Sequence, residues 1–296
     1  STLSLITVLY QSQEVLADFF KSLAAQTDQN FDLYIYDNSP DNLSYLAVQD
    51  YLKTHTLGQQ VYLIKNPENV GFAVANNQGI QAALQNGAEY IGIINNDIVF
   101  EDPNLLQNML QECQKNPIVV PKMRYFDNKT IWCAGGEFVR HKGIVKHFGD
   151  GQAADLPQYN QAKWVEFAPM CFMFIRSELF SEIGLLDEKT FVYYDDADWL
   201  WRAKLKGYQV YYAPHLVIDH KVSSSTGGGS SLFTIFYGTR NRLYFIHKHF
   251  SWFDQLRSYL FFFSTRIPTY LRYNPAQRAQ LIKGIRAGIA LINNRN

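Results

Sequence analysis

Strand-like and helix-like stretches alternate through the first hundred residues, and this alternation constrains the fold more than any other feature of the sequence. Short apolar runs of the kind buried in parallel sheets begin with Leu3 to Leu9. Between these runs, apolar residues recur three and four positions apart, which is typical of helices. Such repetition predicts an open α/β sheet with right-handed crossovers. The expected strands are 3–9, 31–36, 61–64 and 90–94, and the expected helices are 15–23, 43–52 and 71–84.

Polar side chains follow two of these strands directly. Asp37 comes after the second strand, and Asp97 ends the triplet Asn95-Asn96-Asp97 after the fourth. Ligands of open α/β sheets bind beyond the carboxyl ends of the strands, so both carboxylates are expected at a binding cleft. The ordinary alternative is that each carboxylate forms a turn or caps a helix.

The second part of the chain mixes strands with short helices. Residues 177–184 and 195–206 are expected to be helices that end at a glycine. The segment from Ser223 to Ser231 contains only Ser, Thr and Gly and begins three residues after His220, so we expect a flexible loop that closes over a bound ligand. The expected strands of this part are 131–138, 164–175, 209–213 and 216–218.

Three groups of side chains have the chemistry of divalent-cation ligands: Asn95-Asn96-Asp97, Asp195-Asp196-Ala197-Asp198 and His220. A carboxylate, an imidazole and substrate phosphate oxygens can together hold Mg²⁺ or Mn²⁺, which would neutralise a leaving diphosphate. A second carboxylate, off the metal, could act as a general base. Alternatively, the acids stabilise a helix N-terminus, and Asp198 pairs with Arg202 four residues on.

The segment Asn69 to Gly79 is a strand-to-helix loop with a small residue at its turn. Gly71 lets the backbone come close to a ligand, and the helix N-terminus after it could receive phosphate or ribose oxygens. An ordinary turn between a strand and a helix is the alternative. The loop has neither the GxGxxG of dinucleotide folds nor a phosphate-binding P-loop motif.

Taken in order, these motifs resemble those of the inverting nucleotide-sugar glycosyltransferases of family 2, and most of all the rhamnosyltransferase-like and galactofuranosyltransferase-like branch. The resemblance covers about residues 3–250 and implies the GT-A fold, an open, mixed, Rossmann-like sheet with flanking helices. The motifs in chain order are Leu5-Ile6-Thr7-Val8-Leu9-Tyr10, Asp37-Asn38-Ser39, Asn69-x-Gly71-Phe72-Ala73-x-Ala75-Asn76-Asn77, Asn95-Asn96-Asp97, Gly135-Gly136, Gly184-Leu185-Leu186-Asp187-Glu188, Tyr194-Asp195-Asp196-Ala197-Asp198-Trp199 with Arg202 and Gly207, and Pro214 with His220.

The resemblance also implies roles for individual residues. Asp97 and His220 would bind the metal, and Asp196 would be the catalytic base. Because the family's acidic triplet has only one acid here, metal affinity would depend on the donor diphosphate itself. Asp37 would contact the base or ribose. The nucleotide-sugar pocket would further contain Tyr10, Asn69, Asn76 and Asn95. Acceptor-side or supporting residues would be Trp164, Asp195 and Arg202.

The expected function is therefore metal-dependent, inverting transfer from a UDP- or dTDP-sugar, with dTDP-rhamnose as the first expectation and Mn²⁺ or Mg²⁺ as cofactor. The expected acceptor is a glycan or lipid-linked saccharide of a cell-surface polysaccharide. One alternative is a non-catalytic saccharide- or partner-binding module on the same fold, although the acids and His220 are retained. Another is a sugar nucleotidyltransferase, which is disfavoured because residues 10–14 lack glycine and basic side chains.

The C-terminal part differs in charge from the rest of the chain. Residues 232–296 hold ten Lys and Arg and one acid, whereas residues 1–231 hold 17 basic and 26 acidic residues. Residues 233–273 contain fourteen aromatic side chains. This combination favours an anionic partner surface, and because no nucleic-acid motif accompanies it, a membrane rather than nucleic acid. Apolar spacing from Leu256 to Ile267 predicts an amphipathic helix that binds a membrane, packs on the catalytic domain or forms a homo-oligomer.

We expect residues 1–231 to form the catalytic domain, with a nucleotide-binding half at 1–100 and an acceptor half at 101–231. Residues 232–296 would form a helical aromatic and basic region. The sequence has no run of 18 apolar residues and no signal peptide, so neither a membrane span nor secretion is expected. Its three cysteines form no CxxC pair, which favours a reducing compartment. The expected location is the cytoplasm, peripheral at the inner face of the plasma membrane.

Overall fold

Strands and helices alternate along residues 2–222 and 231–293, which are the residues that this computed structural model describes. The predicted Ser223 to Ser231 loop lies almost entirely outside them. The strands are β1 (Leu3–Leu9), β2 (Phe31–Asp37), β3 (Gln60–Lys65), β4 (Tyr90–Ile94), β5 (Ile98–Val99), β6 (Ile118–Tyr125), β7 (Ile131–Cys133), β8 (Gly136–Val139), β9 (Ile144–His147), β10 (Lys163–Val165), β11 (Phe172–Arg176) and β12 (Val210–His220). The helices are α1 (Leu16–Ala24), α2 (Leu43–Leu52), α3 (Phe72–Gln85), α4 (Leu105–Lys115), α5 (Glu178–Ile183), α6 (Asp195–Leu205), α7 (Leu232–His249), α8 (Trp252–Arg272) and α9 (Pro275–Asn293).

Ten of the described strands form one mixed sheet in the order β10-β12-β6-β11-β4-β1-β2-β3, with β5 beside β12 and β7 beside β6. β1 is parallel to β2 and β4, as buried apolar strands joined by helices require. In this register Leu9 pairs with Asp37 and Ile6 with Ile93, so the three strands end at the same edge. The expected open α/β sheet with flanking helices is confirmed.

The second half of the sheet brings distant segments to that edge. β11 runs antiparallel between β4 and β6, and β12 is parallel to β6. The two strands expected at 209–218 are one strand with a register shift between Ala213 and Val217, because Pro214 interrupts the ladder there. At its end, His220 pairs with Ile98 of β5, which places His220 next to the turn that carries Asp97.

Two other expected strands are each divided. The run at 131–138 becomes β7 and β8, separated by Gly135 at a φ of 78°. The run at 164–175 becomes β10 and β11, and the residues between them, including Phe167 and Met170, line the cavity described below. Gly135-Gly136 in the first run and Pro169 in the second favour turns, and the prediction of continuous strands did not use these signals.

The C-terminal helices pack on the rest of the molecule. α9 crosses α7 closely because it presents glycine there: a Cβ at Gly284 would lie 2.8 Å from Phe236 O, and one at Gly288 would lie 3.0 Å from Arg240 O. α8 packs on the 3-10 turn Arg140–Lys142. In the described ranges, no helix combines the length and hydropathy needed to cross a bilayer. The division into domains at residue 231 stays a prediction.

Candidate active site

A cavity of about 890 Å³ lies beyond the common end of β1, β2 and β4. Seven of the eleven predicted site residues line it, so the sequence motifs converge in space. These seven are Tyr10, Asn69, Asn95, Asp97, Asp195, Asp196 and His220. Four do not line it, namely Asp37, Asn76, Trp164 and Arg202.

Asp37 is fully buried and has a structural role. Its Oδ2 lies 2.9 Å from Lys65 Nζ, and its Oδ1 accepts a hydrogen bond from Ser39 N at 2.9 Å. Lys65 also donates to the backbone carbonyl of Ser39 at 2.6 Å. Asp37 thus holds the turn from which the next residue, Asn38, lines the cavity, and its predicted contact with the nucleotide stays a prediction.

The N-terminus of α3 borders the cavity through Gly71 and Phe72, but its first backbone N–H groups are already hydrogen-bonded within the protein. The carbonyl oxygen of Phe191 accepts hydrogen bonds from Phe72 N at 2.6 Å and Ala73 N at 3.4 Å. Gly71 has a φ of 89°, and a Cβ there would lie 2.5 Å from the Phe191 ring. The close approach that Gly71 permits is thus to Phe191, and the expected phosphate or ribose contact at this helix end stays a prediction.

Three further predicted residues also lie outside the cavity. Asn76 is buried in α3 and donates to Phe72 O at 2.9 Å. Trp164 is 48% exposed on the edge strand β10, where it packs edge-on against Tyr211. Arg202 donates to Ile183 O and Leu185 O, both at 2.7 Å, so it links α6 to the C-terminal end of α5. Arg202 has a supporting position, and the acceptor-side or supporting role of Trp164 stays a prediction.

Asp97 and His220 have the arrangement of a two-ligand cation site. The β5–β12 ladder brings His220 Nε2 to 3.3 Å from Asp97 Oδ1, and Trp132 packs against the imidazole at 4.4 Å between ring centroids. Adjacent ligands of an octahedral ion with bonds of about 2.1 Å lie about 3 Å apart, so this spacing fits a shared cation. No group of three or more His, Cys, Asp or Glu suited to a metal occurs among the described residues, so a cation would need ligands from substrate or water.

Asp195 and Asp196 are the first two residues of α6, and both line the same cavity. Asp196 Oδ1 accepts a hydrogen bond from Ala197 N at 2.7 Å. Burial raises the pKa of Asp196 to about 6, and burial together with the charge of Asp196 raises the pKa of Asp195 well above its usual range. Burial is the principal cause of the raised pKa of Asp196. A carboxylate with this pKa is suited to accept a proton near neutral pH.

The segment just before this pair is strained. Phe191, Tyr193 and Tyr194 have φ values of 64°, 64° and 63°, a conformation that costs about 1–3 kcal/mol for each non-glycine residue. Asn241 of α7 compensates by donating to Thr190 O at 2.7 Å, and its Nδ2 also donates to Val192 O and Tyr193 O. Sequence reasoning missed Asn241, since an asparagine within a helix gives no local signal.

A buried ionic cluster ties α6 to α7. Asp198 Oδ1 lies 2.5 Å from Lys248 Nζ and 2.7 Å from His249 Nε2, and its Oδ2 lies 2.9 Å from Arg202 Nε. Lys248 also pairs with Asp187 at 2.6 Å. Although burial alone would raise it, the pKa of Asp198 is held far below its usual range by the His249 hydrogen bond and the charges of Lys248 and Arg202. The predicted Asp198–Arg202 pair is confirmed as part of this larger cluster.

Comparison with known sequences identifies relatives of the chain. The family model for glycosyl transferase family 2 matches residues 4–184. The dTDP-rhamnosyl transferase RfbF of Shigella flexneri is 24% identical over 183 residues, which cover 57% of this chain and 54% of that protein. The chain therefore matches only about half the length of this relative.

Solved structures with a similar fold cover nearly the whole chain. The mannosyltransferase PcManGT from Pyrobaculum calidifontis, in complex with GDP-Man and Mn²⁺, has a TM-score of 0.59 at 14% identity and covers 98% of this chain and 73% of its own. S. aureus TarS in complex with UDP-GlcNAc has a TM-score of 0.58 at 14% identity, with coverages of 99% and 82%. At these identities the similarity shows the fold, and it confirms the expected GT-A architecture.

Proposed function

The chain belongs to glycosyl transferase family 2, and from this we propose metal-dependent, inverting transfer of a sugar from a UDP- or dTDP-sugar to a hydroxyl acceptor. The observation that carries the proposal is one cavity lined by a candidate base, Asp196, and by the Asp97/His220 pair. A glycosyl transfer by single displacement needs both, since a proton must leave the acceptor while negative charge develops on the diphosphate.

Asp97 and His220 are the residues that would hold Mn²⁺ or Mg²⁺ in this proposal. When bound, such a cation neutralises charge on a leaving diphosphate. The rest of the nucleotide sugar would contact Tyr10, Asn69 and Asn95, which line the same cavity. The Mn²⁺ in the mannosyltransferase structure supports the choice of cation by analogy of fold.

Asp196 would take the proton of the acceptor hydroxyl as that oxygen attacks the anomeric carbon of the donor sugar. The bond from this carbon to the diphosphate oxygen breaks at the same time, and its electron pair leaves with the diphosphate. Attack and departure on opposite faces invert the anomeric configuration. With a pKa of about 6, Asp196 is mostly ionised at pH 7 and so is available as the base.

The proposed donor is dTDP-rhamnose first, because the curated relative is a dTDP-rhamnosyl transferase. The proposed acceptor is a glycan or lipid-linked saccharide for a cell-surface polysaccharide. We also propose a cytoplasmic location: Cys113, Cys133 and Cys171 are buried, free thiols, as expected of a reducing compartment.

We expect a dTDP- or UDP-sugar to raise the melting temperature of the protein when Mn²⁺ is present. A ligand that binds only the folded state adds about 2.7 kcal/mol to stability at a hundred times its Kd. The experiment is a thermal-shift screen of dTDP-rhamnose, UDP-sugars and GDP-mannose, followed by measurement of nucleoside diphosphate release with saccharide acceptors.

Asn95→Ala, inside the cavity, should reduce the stabilisation, whereas Asn116→Ala, at the end of α4 and outside the cavity lining, should not. If no nucleotide sugar stabilises the protein, the proposed donor class is wrong. Stabilisation without any turnover across the acceptor panel would favour the non-catalytic binding module.

A further inference from the structure

The outward face of α8 carries a continuous apolar stripe. Six large side chains, spaced three or four residues apart, are each between 46% and 69% exposed. They are Phe253, Leu256, Leu260, Phe263, Ile267 and Leu271. This spacing aligns them along one side of the helix over about 27 Å, at 1.5 Å per residue. Apolar patches of several hundred Å² on a protein surface mark an interaction site.

The inner face of the same helix is anchored to the protein. Ser258 is fully buried and donates to Arg140 O, and Phe262 is 1% exposed beneath the guanidinium of Arg242, 5.1 Å from the ring centroid. The stripe therefore points away from the body of the molecule, and its exposure is not caused by a poorly packed helix.

The charge of the C-terminal helices indicates what would cover the stripe. Arg257 and Arg272, on α8 itself, are exposed, and so are Lys283 and Arg286 of the following helix, α9. Asp254 is the only acid in residues 232–296. A symmetric dimer through this face would bring like charges together, whereas an anionic bilayer offers opposite charge and an apolar interior.

We propose that α8 lies in the interface of an anionic lipid bilayer, with the six apolar side chains inserted and the arginines near lipid phosphates. The helix is connected to the wall of the cavity: a Cβ at Gly143 would lie 3.4 Å from Ser258 Cβ, and the next residues, Ile144 and Val145, line the cavity. Membrane binding would thus bring the cavity close to the bilayer. The lipid-linked acceptor would then reach the cavity along a short path; this step rests on the proposed function.

The test is co-sedimentation of the full chain with vesicles of phosphatidylcholine, with or without about 30% phosphatidylglycerol. We expect binding to the anionic vesicles that weakens in about 0.5 M NaCl. The variant Leu256→Ser/Leu260→Ser/Ile267→Ser should lose at least roughly tenfold in affinity. Its matched control is Leu43→Ser/Leu46→Ser/Leu205→Ser, at comparably exposed positions on α2 and α6, which should bind like the wild type.

The charge contribution is tested separately with Arg257→Gln/Arg272→Gln, which should weaken binding to the anionic vesicles only. Equal binding to both vesicle types, binding to neither, or unchanged binding of the α8 serine variant would overturn the proposal. A dimer that dissociates in that variant, without vesicle binding, would assign the stripe to self-association. Because no donor or turnover enters the assay, its failure would leave the proposed function standing.

Discussion

Replacing Asp196 with Asn should leave a folded protein that binds donor while turnover falls roughly a hundredfold or more, which is the scale of general-base catalysis. The amide keeps the size of the side chain and can still accept the hydrogen bond from Ala197 N. It cannot take up the proton that the acceptor hydroxyl loses. We therefore expect the loss in kcat, with little change in the thermal shift produced by nucleotide sugar.

The pH profile provides a second test of the same role. The base acts when deprotonated, so kcat/KM, which reports the pKa values of the free enzyme, should rise with pH through about 6, the raised pKa of Asp196, and level off above it. Asp50→Asn, on the exposed surface of α2, is the control and should keep the wild-type rate and profile. Near-normal turnover of Asp196→Asn would move the base to Asp195 or to another group.

Asp198→Ala should destabilise the protein by about 3–5 kcal/mol, the cost of breaking a buried ion pair from one side. The side chain of Asp198 is 3% exposed, and its removal leaves Arg202, Lys248 and His249 without their shared carboxylate. Urea denaturation measures the change. The control is Asp50→Ala. Because both side chains of the Asp50–Lys53 pair are 70% exposed, this variant should lose less than about 1 kcal/mol of unfolding free energy.

Lowering the pH should also reduce the free energy of unfolding of the wild type, because it protonates Asp198. Because the pKa of Asp198 is lowered in the folded state, its contribution is complete above its ordinary pKa and is lost as the pH falls towards the depressed value. The free energy of unfolding of Asp198→Asn should accordingly change less between pH 5 and 3 than that of the wild type. Equal losses in Asp198→Ala and Asp50→Ala would show that the cluster does not stabilise the fold.

The sequence predicted the first half of the sheet well because its signals are local. Each strand there is a short apolar run, and each helix repeats its apolar residues within a few positions, so β1, β2, α2 and β4 lie where expected. The divided strands at 131–138 and 164–175 were missed because the prediction followed the apolar residues on both sides and did not use the turn-favouring Gly135-Gly136 and Pro169 between them.

The site was harder to predict because side-chain direction changes with every residue of a strand. Asp37 ends β2 at the correct edge, yet its carboxylate turns to Lys65 of the neighbouring strand, and it is Asn38 that lines the cavity. The contacts of Asn241 with the 190–193 segment join residues about 50 positions apart. Patterns within a sequence window carry no information about such contacts.

The central claim is that this cavity binds a nucleoside diphosphate through a cation held by Asp97 and His220, and calorimetric titration with dTDP and UDP tests it most directly. We predict binding by the wild type with Mn²⁺ that is abolished or strongly weakened by EDTA. With Mn²⁺ present, Asp97→Ala and His220→Ala should bind much more weakly, while the control His215→Ala, whose imidazole is 57% exposed outside the cavity, should bind like the wild type. Equal affinity with Mn²⁺ and with EDTA, or undiminished affinity in both cavity variants, would contradict the account.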